Sequence, residues 1–203
     1  MFSPIINSNG RVLKETWNVT VKKVLGIVGM PGSGKAVARK VAEKMGYVTV
    51  IMGDVVREEA KRRGVKPTPE NLGLIMLELR REFGPDIVAK RTVEKMKRLK
   101  NEVIVIDGIR SLDEVEFFKK FYPNLKLIAI HSSPKTRFKR LKMRKRRDDP
   151  EDWMEFYDRD RRELGVGIGD VIALSDFMIV NEGTKESLEK KVTKVFEVAV
   201  EDE

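Results

Sequence analysis

Short apolar runs alternate with longer amphipathic stretches along this chain. Five runs rich in Val, Ile and Leu predict β-strands, and they span residues 24–28, 48–52, 102–107, 126–131 and 177–181. Strands that are almost wholly apolar are typical of parallel sheets covered on both faces. The stretches between them have helical spacing. The alternation therefore predicts right-handed βαβ units around a parallel sheet.

Helix start signals stand at the positions that this pattern requires. They are Thr68-Pro69, the capping box Ser111 to Glu114, Ser133-Pro134, Asp149-Pro150 and Thr184. Gly84-Pro85 is expected to end the helix that runs from 68 to about 83, before a further helix that runs to about 99.

The turn after the first predicted strand has the pattern of a phosphate-binding loop, G-x-x-x-x-G-K-[ST]. Its residues are Gly29, Met30, Pro31, Gly32, Ser33, Gly34, Lys35 and Ala36. Backbone N–H groups in such a loop point at phosphate oxygens, and its lysine reaches the β- and γ-phosphates. The loop predicts binding of a nucleoside triphosphate. Ala36 stands where a hydroxyl normally binds Mg²⁺, and water can substitute for that ligand.

Charged residues follow two other predicted strands. Asp54 and Arg57 are three apart and share a helix face, although Asp54 alone could be an N-cap and Arg57 a surface charge. Asp107 ends a buried strand, where it could hold Mg²⁺ through water or simply occupy a turn before Gly108. Arg110 is expected in the same cleft. Arginines from two strand ends suit an acceptor phosphate.

One segment accounts for the whole charge excess. The formal net charge is +9, and residues 135–147 hold nine Lys or Arg and no acid. A polyanionic partner is expected: nucleotide phosphates, nucleic acid or the ribosome. The length of this region without a strand pattern predicts a helical lid at about 135–165. Its Arg144, Arg147 and Arg159 would close over a transferring phosphoryl group, although any single Arg here could be solvated.

The last predicted strand leads to Asn181 and Gly183, at the same edge of the sheet as the phosphate loop. Backbone or amide contacts from these residues could reach adenine. His131 is the single histidine, and packing is the expected role of its side chain.

The length and composition of the chain indicate its domain organisation and the environment in which it works. The 203 residues suit one domain at 21–203, preceded by an N-terminal extension at 1–20. No apolar stretch is long enough for a membrane span, and the chain has no signal-peptide pattern and no cysteine. We therefore expect a cytoplasmic protein without membrane contact. The 36 % charged content and the lack of Gln resemble the composition of thermophile proteins.

From about residue 22 onward, the motifs resemble those of nucleoside-monophosphate kinases and dephospho-coenzyme A kinases. Gly53-Asp54-x-x-Arg57 is similar to an acceptor-binding segment of adenylate kinases, and Asp107-Gly108-x-Arg110 to a shortened Asp-Gly-Phe-Pro-Arg segment. Residues 144–149 with Arg159 resemble lid arginines, and 175–183 resembles the adenine-side loop. The whole pattern looks most like UPF0200, an archaeal adenylate-kinase-related family that generally carries Ser at the position of Ala36.

The resemblance implies a three-layer αβα P-loop NTPase fold, with a five-stranded parallel sheet and a helical lid, that binds ATP and Mg²⁺. The leading hypothesis is a kinase acting on a small phosphorylated acceptor such as a nucleoside monophosphate. Its expected catalytic residues are Lys35, Asp107, Arg110, Arg144, Arg147 and Arg159, and its acceptor-binding residues are Asp54, Arg57 and Arg110. The alternatives are a nucleotide-dependent RNA- or ribosome-associated ATPase and a kinase-like protein whose catalysis is impaired by Ala36. A monomer or small homo-oligomer is expected.

Overall fold

Five strands and nine helices alternate through the residues that the computed structural model describes, 22–145 and 149–201. The strands are β1 (Lys23–Val28), β2 (Val48–Ile51), β3 (Val103–Asp107), β4 (Lys126–His131) and β5 (Phe177–Val180). The helices are α1 (Lys35–Lys44), α2 (Met52–Arg62), α3 (Pro69–Phe83), α4 (Ile87–Met96), α5 (Leu112–Phe121), α6 (Pro134–Arg144), α7 (Trp153–Val166), α8 (Ile168–Ala173) and α9 (Lys185–Glu201). The predicted extension at 1–20 lies outside the described residues.

All five strands are parallel and lie in the order β2-β3-β1-β4-β5. The register places Asp107 at the end of β3 beside Ile27 of β1 and Ile51 of β2. The loops that follow these strands therefore begin at one edge of the sheet, which is where ligands bind in open α/β folds.

Helices cover both faces of the sheet, because successive side chains of a strand point to opposite sides. In β1, Val24 and Val28 pack into a core with α2 to α5, whereas Leu25 and Ile27 pack into a second core with α1 and α9. Phe118 fills the first core and Phe196 the second, both fully buried. The predicted three-layer αβα fold is confirmed.

Most of the predicted helix starts are capped as expected. The side chains of Thr68, Ser111 and Ser133 each accept a hydrogen bond from a backbone N–H three residues later, at 3.3–3.4 Å. The start predicted at Asp149-Pro150 is wrong. Helix α7 begins at Trp153, and the N-cap is Asp152, whose carboxylate accepts from the N–H of Glu155 at 2.9 Å. Asp149 is instead paired with Arg144.

Helices α6 and α7 occupy the predicted lid region and share an aromatic core. The ring centroids of Phe138 and Trp153 lie 5.4 Å apart, and those of Phe138 and Phe156 lie 5.5 Å apart. This packing fastens the two helices to each other. That they move as a lid stays a prediction. Within the described part of the chain, none of the helices combines the length and apolarity that a membrane crossing needs.

Removal of the Phe118 ring tests the core assignment. Phe118→Ala is expected to lower the free energy of unfolding by about 3–5 kcal/mol, because the buried ring leaves a cavity. Phe121→Ala on the same helix is the matched control, since that side chain is 46 % exposed and should cost less than about 1 kcal/mol. Denaturant titration measures both values. Equal losses would contradict the assigned orientation of α5.

Candidate nucleotide and phosphate site

A cleft of about 360 Å³ opens beyond the ends of β1, β2 and β3 and extends to helices α6 and α7. Many of the residues predicted for the site line this one cleft. They are Gly29, Pro31, Gly32, Gly34, Lys35, Ala36, Arg57, Asp107, Arg110, Arg144 and Arg159. Met30, Ser33, Asp54, Asn181 and Gly183 lie outside its lining, and Arg147 lies outside the described residues.

The phosphate-binding loop has the backbone conformation that its glycines allow. Gly34 has φ 118° and forms the N-cap of α1, and a Cβ atom there would lie 2.6 Å from Nδ2 of Asn181. Only glycine accommodates both constraints. The N-terminus of α1 consequently faces the cleft with its backbone N–H groups and its partial positive charge.

Lys35 folds back over the loop. Its ammonium donates hydrogen bonds to the carbonyl oxygens of Gly29 and of Met30, the latter at 3.4 Å. Burial lowers the pKa of Lys35, and the negative charges of Asp107 and Glu163 oppose that shift. A bound phosphate would supply further negative charge, which favours the charged form of this lysine.

Buried hydrogen bonds from Asn181 and Ser132 hold the phosphate-binding loop in place. The Asn181 amide donates from Nδ2 to the carbonyl of Ser33 at 2.8 Å, while its Oδ1 accepts from Arg140 at 3.3 Å. Ser132 also bridges these parts, because its hydroxyl accepts from Arg140 at 2.9 Å. The amide of Asn181 is thus engaged within the protein and positions the loop. An adenine contact from this segment would fall to its backbone.

Asp107 is paired with a residue that sequence reasoning missed. Its Oδ2 accepts from Nη1 of Arg39 at 2.8 Å, whereas its Oδ1 is buried without a hydrogen-bond partner among the described residues. Arg39 lies three positions after Ala36 on α1. Its helical spacing from the loop is visible in the sequence, but its partner, 68 residues away, is not.

The residues present fit a magnesium ion that arrives with a triphosphate. Mg²⁺ prefers oxygen ligands, keeps several waters and often takes only one or two carboxylates together with substrate phosphates. Asp107 supplies a carboxylate with an unsatisfied oxygen beside the phosphate loop. The described residues contain no cluster of three or more acidic or histidine side chains that would bind a metal independently of the nucleotide.

The two predicted acceptor arginines both line the cleft, one from α2 and the other from the segment after β3. Arg57 lines the cleft and is paired with Asp54, and both side chains are about half exposed. Nε of Arg110 lies 3.1 Å from Oε2 of Glu163. The backbone N–H of Arg110 donates to the buried carboxylate of Glu114 at 2.8 Å. Glu114 therefore holds the backbone of Arg110 in place after the end of β3.

Two of the three predicted catalytic arginines of the lid, Arg144 and Arg159, contact one carboxylate. Nε of Arg144 donates to Oδ2 of Asp149 at 2.9 Å, and Nη1 of Arg159 lies 3.9 Å from Oδ1 of the same residue. The Asp149 side chain is almost fully buried by these neighbours. The arrangement brings two positively charged side chains together in the lining of the cleft.

A buried ion pair that sequence reasoning also missed connects the lid helices with the phosphate loop. Nη1 of Arg137 donates to Oδ1 of Asp160 at 2.8 Å and to the carbonyl of Pro31 at 3.2 Å. The guanidinium also lies 5.0 Å from the ring centroid of Phe156. Asp160 and Arg137 are both buried. The sequence shows only two charges, 23 positions apart.

The basic segment thus has two faces. Its arginines at 137, 140 and 144 point toward the loop, the Asn181 network and the cleft. Its lysines at 135, 139, 142 and 145 are exposed. Sequence reasoning treated the nine bases as one group, whereas three of them are engaged in contacts within the protein.

Comparison with known proteins agrees with the fold described above. A family model described as an AAA domain matches residues 28–156. The fold, sheet order and phosphate loop define a P-loop NTPase domain. A shikimate kinase from Acinetobacter baumannii, solved in complex with shikimate, is 16 % identical with a TM-score of 0.57, covering 88 % of this chain and 95 % of that one. A gluconokinase from Sinorhizobium meliloti is 13 % identical with a TM-score of 0.54, covering 89 % and 95 %.

Relatives found by sequence have a higher identity to this chain than these solved structures have. A UPF0200 protein of Pyrococcus furiosus is 50 % identical over 182 residues, which cover 86 % of this chain and 98 % of that protein. The chain belongs to the UPF0200 family. The resemblance inferred from the motifs is confirmed.

Asp160→Asn tests the link between lid and loop. Loss of the buried negative charge should lower the free energy of unfolding by about 3 kcal/mol, because Arg137 keeps a buried charge without its partner. ATP binding should also weaken several-fold, since Arg137 holds the Pro31 carbonyl. Thermal denaturation and calorimetry measure the two effects. Asp158→Asn, an exposed position on the same helix, is the matched control and should change neither.

Proposed function

We propose that this protein transfers the γ-phosphoryl group of ATP to a small phosphorylated acceptor such as a nucleoside monophosphate. One observation carries the proposal: a single cleft joins the phosphate loop to Arg57 and Arg110, which come from two other strand ends. Kinases of this kind work mainly by positioning two phosphates and stabilising the charge between them. The cleft contains cationic groups for both.

On the donor side, the backbone of Gly32 to Lys35 receives the phosphate oxygens, and the Lys35 ammonium leaves its carbonyl contacts to bind them. Asp107 would hold Mg²⁺ mostly through water. When bound, the ion supplies charge neutralisation on the phosphate oxygens. Asn181 supports the loop by donating a hydrogen bond to the Ser33 carbonyl.

On the acceptor side, Arg57 and Arg110 bind the acceptor phosphate, each in exchange for the carboxylate that it now pairs with. Guanidinium groups suit this exchange, because they bind phosphate in bidentate fashion. Asp54 would orient or deprotonate the acceptor if the attacking group were a hydroxyl. An acceptor that is already a phosphate needs little help from a base.

The lid arginines have the remaining role in the proposed reaction. Arg144 and Arg159, together with Arg147, neutralise charge on the transferring group and exclude water. Asp149 holds Arg144 and lies beside Arg159, near the position where they would act. Closure then requires short movements of side chains already gathered at the cleft.

The exposed lysines at 135, 139 and 142 favour a second candidate, a nucleotide-dependent RNA- or ribosome-associated ATPase, because they form one basic stripe on α6. Phe138, the aromatic residue of that segment, packs between Trp153 and Phe156 instead of offering its ring to a base. Ala36 supports the other alternative, an ATP-binding protein with reduced turnover. A cytoplasmic location and a monomeric or small oligomeric state remain part of the proposal.

A panel of acceptors with labelled ATP and Mg²⁺, assayed hot and at room temperature, tests the kinase proposal. Arg57→Met and Arg110→Met should each raise the KM for the acceptor about 10- to 100-fold, the value of one lost charge-assisted contact, and leave the Kd for ATP within about twofold. Arg98→Met, an exposed site, is the control, and Lys35→Met should abolish ATP binding. Hydrolysis without transfer, stimulated by RNA and sensitive to salt, would support the second candidate instead.

Ala36→Ser restores the hydroxyl that the loop lacks. It should lower the Mg²⁺ concentration needed for half-maximal turnover and raise the rate at limiting Mg²⁺ several-fold, because a direct ligand replaces a water. Ala36→Gly is the control, since it alters the position without adding a hydroxyl. A Mg²⁺ titration of both variants measures the effect. An unchanged Mg²⁺ requirement in the serine variant would refute this account of Ala36.

A further inference from the structure

Arg39 already pairs with the carboxylate that the metal would use. Its Nη1 donates to Oδ2 of Asp107 at 2.8 Å, and both residues line the cleft beside Lys35 and Ala36. The Asp107 side chain is 8 % exposed and that of Arg39 is 24 % exposed. The contact is therefore a partly buried ion pair inside the donor site, where solvent screens it less than at the surface.

Helix geometry explains why this residue reaches that place. Ala36 and Arg39 are three positions apart on α1, so both project from nearly the same side of the helix. Ala36 has no polar side-chain atom for Asp107, whereas the arginine three positions later donates a hydrogen bond to it. The position that lacks a metal-binding hydroxyl is thus followed by a cation that reaches the metal-binding carboxylate.

Asp107 cannot serve both cations equally. The carboxylate lies in a cleft with Lys35, Arg110 and Arg159, whose positive charges already face two acids, Asp107 and Glu163. A hydrated divalent cation entering with the triphosphate would add charge beside Arg39. Arg39 binds Oδ2 of Asp107 and leaves Oδ1 without a hydrogen bond, so a divalent cation at Oδ1 would share one carboxylate with the guanidinium. Two cations held on one carboxylate repel each other, and that repulsion is stronger in a partly desolvated site than in water.

We propose that Arg39 is a positioning residue that holds Asp107 in the nucleotide-free site and competes with the divalent cation for its carboxylate. The requirement of this site for Mg²⁺ is then set by the strength of the Arg39–Asp107 pair together with the missing hydroxyl at Ala36. Arg39 releases Asp107 when the metal-bound triphosphate enters. This inference rests on the ATP and Mg²⁺ site of the proposed function, but not on the identity of the acceptor.

Metal binding without turnover tests the competition directly. Mn²⁺ is titrated into the protein together with a non-hydrolysable ATP analogue, and bound Mn²⁺ is followed by electron paramagnetic resonance at mildly alkaline pH. Arg39→Met should lower the Mn²⁺ midpoint about tenfold, the value of one lost charge-assisted contact. Arg39→Lys keeps the charge on a less suitable group and should fall between the methionine variant and the native protein.

Two controls separate competition from general effects. Lys40→Met removes an exposed cation from the adjacent position of α1 and should leave the midpoint unchanged. Asp107→Asn should raise the midpoint in both the native and the Arg39→Met background. Thermal denaturation checks that each variant is folded, and the lysine variant keeps the test valid if the methionine variant is not.

Other outcomes overturn the inference. An unchanged or raised Mn²⁺ midpoint in Arg39→Met, with the analogue still bound, would refute competition. A loss of metal-free analogue binding with an unchanged midpoint would make Arg39 a phosphate ligand instead. Failure of the native protein to bind the analogue would refute the proposed function itself, which is a distinct result.

Discussion

The buried ion pair between Arg137 and Asp160 fixes the relation between the phosphate loop and the helices above it. Taking two charges out of water is costly, and the cost is offset only if the charges stay paired and hydrogen bonded. Arg137 meets that condition by binding Asp160, the Pro31 carbonyl and the Ser132 carbonyl together. Separating α7 from α6 would leave a buried charge unpaired. The base of the lid is therefore anchored to the loop, and any closure should leave the Arg137–Asp160 pair in place.

Arginine side chains that line the cleft are likewise paired with carboxylates. Arg39, Arg57, Arg110 and Arg144 each have a carboxylate partner within the described residues: Asp107, Asp54, Glu163 and Asp149, respectively. Phosphate binding then means exchange of a carboxylate for a phosphate, rather than capture by free cations. The gain per arginine is smaller than a count of charges suggests, because a contact is lost for each one formed. In return, the guanidinium groups are held near their working positions before the ligand arrives.

The sequence predicted the parts of this protein that depend on local pattern. Apolar runs identified the strands, Ser111 identified a helix start, and the glycines before Lys35 identified the loop. It did not predict that Arg39 meets Asp107 or that Arg137 meets Asp160, because those pairs depend on distances created by the sheet order and not on spacing in the chain. Asp149 shows the converse failure. Its position before Pro150 suits a helix cap, but its carboxylate forms ion pairs with Arg144 and Arg159. Asp152 caps the helix instead.

Ala36 and Arg39 together change how binding and turnover are related at this site. In the proposed site, the loop backbone, Lys35 and the α1 N-terminus would receive the phosphates without help from either residue, so triphosphate affinity would not require the missing hydroxyl. Metal placement would depend on both, because Ala36 lacks the hydroxyl ligand and Arg39 binds one oxygen of the Asp107 carboxylate. Substitution in the first turn of a single helix can therefore weaken metal-dependent chemistry while retaining the phosphate cradle. Under this proposal, the kinase hypothesis and the hypothesis of an ATP-binding protein with reduced turnover differ in metal placement at Ala36 and Asp107, and not in the fold.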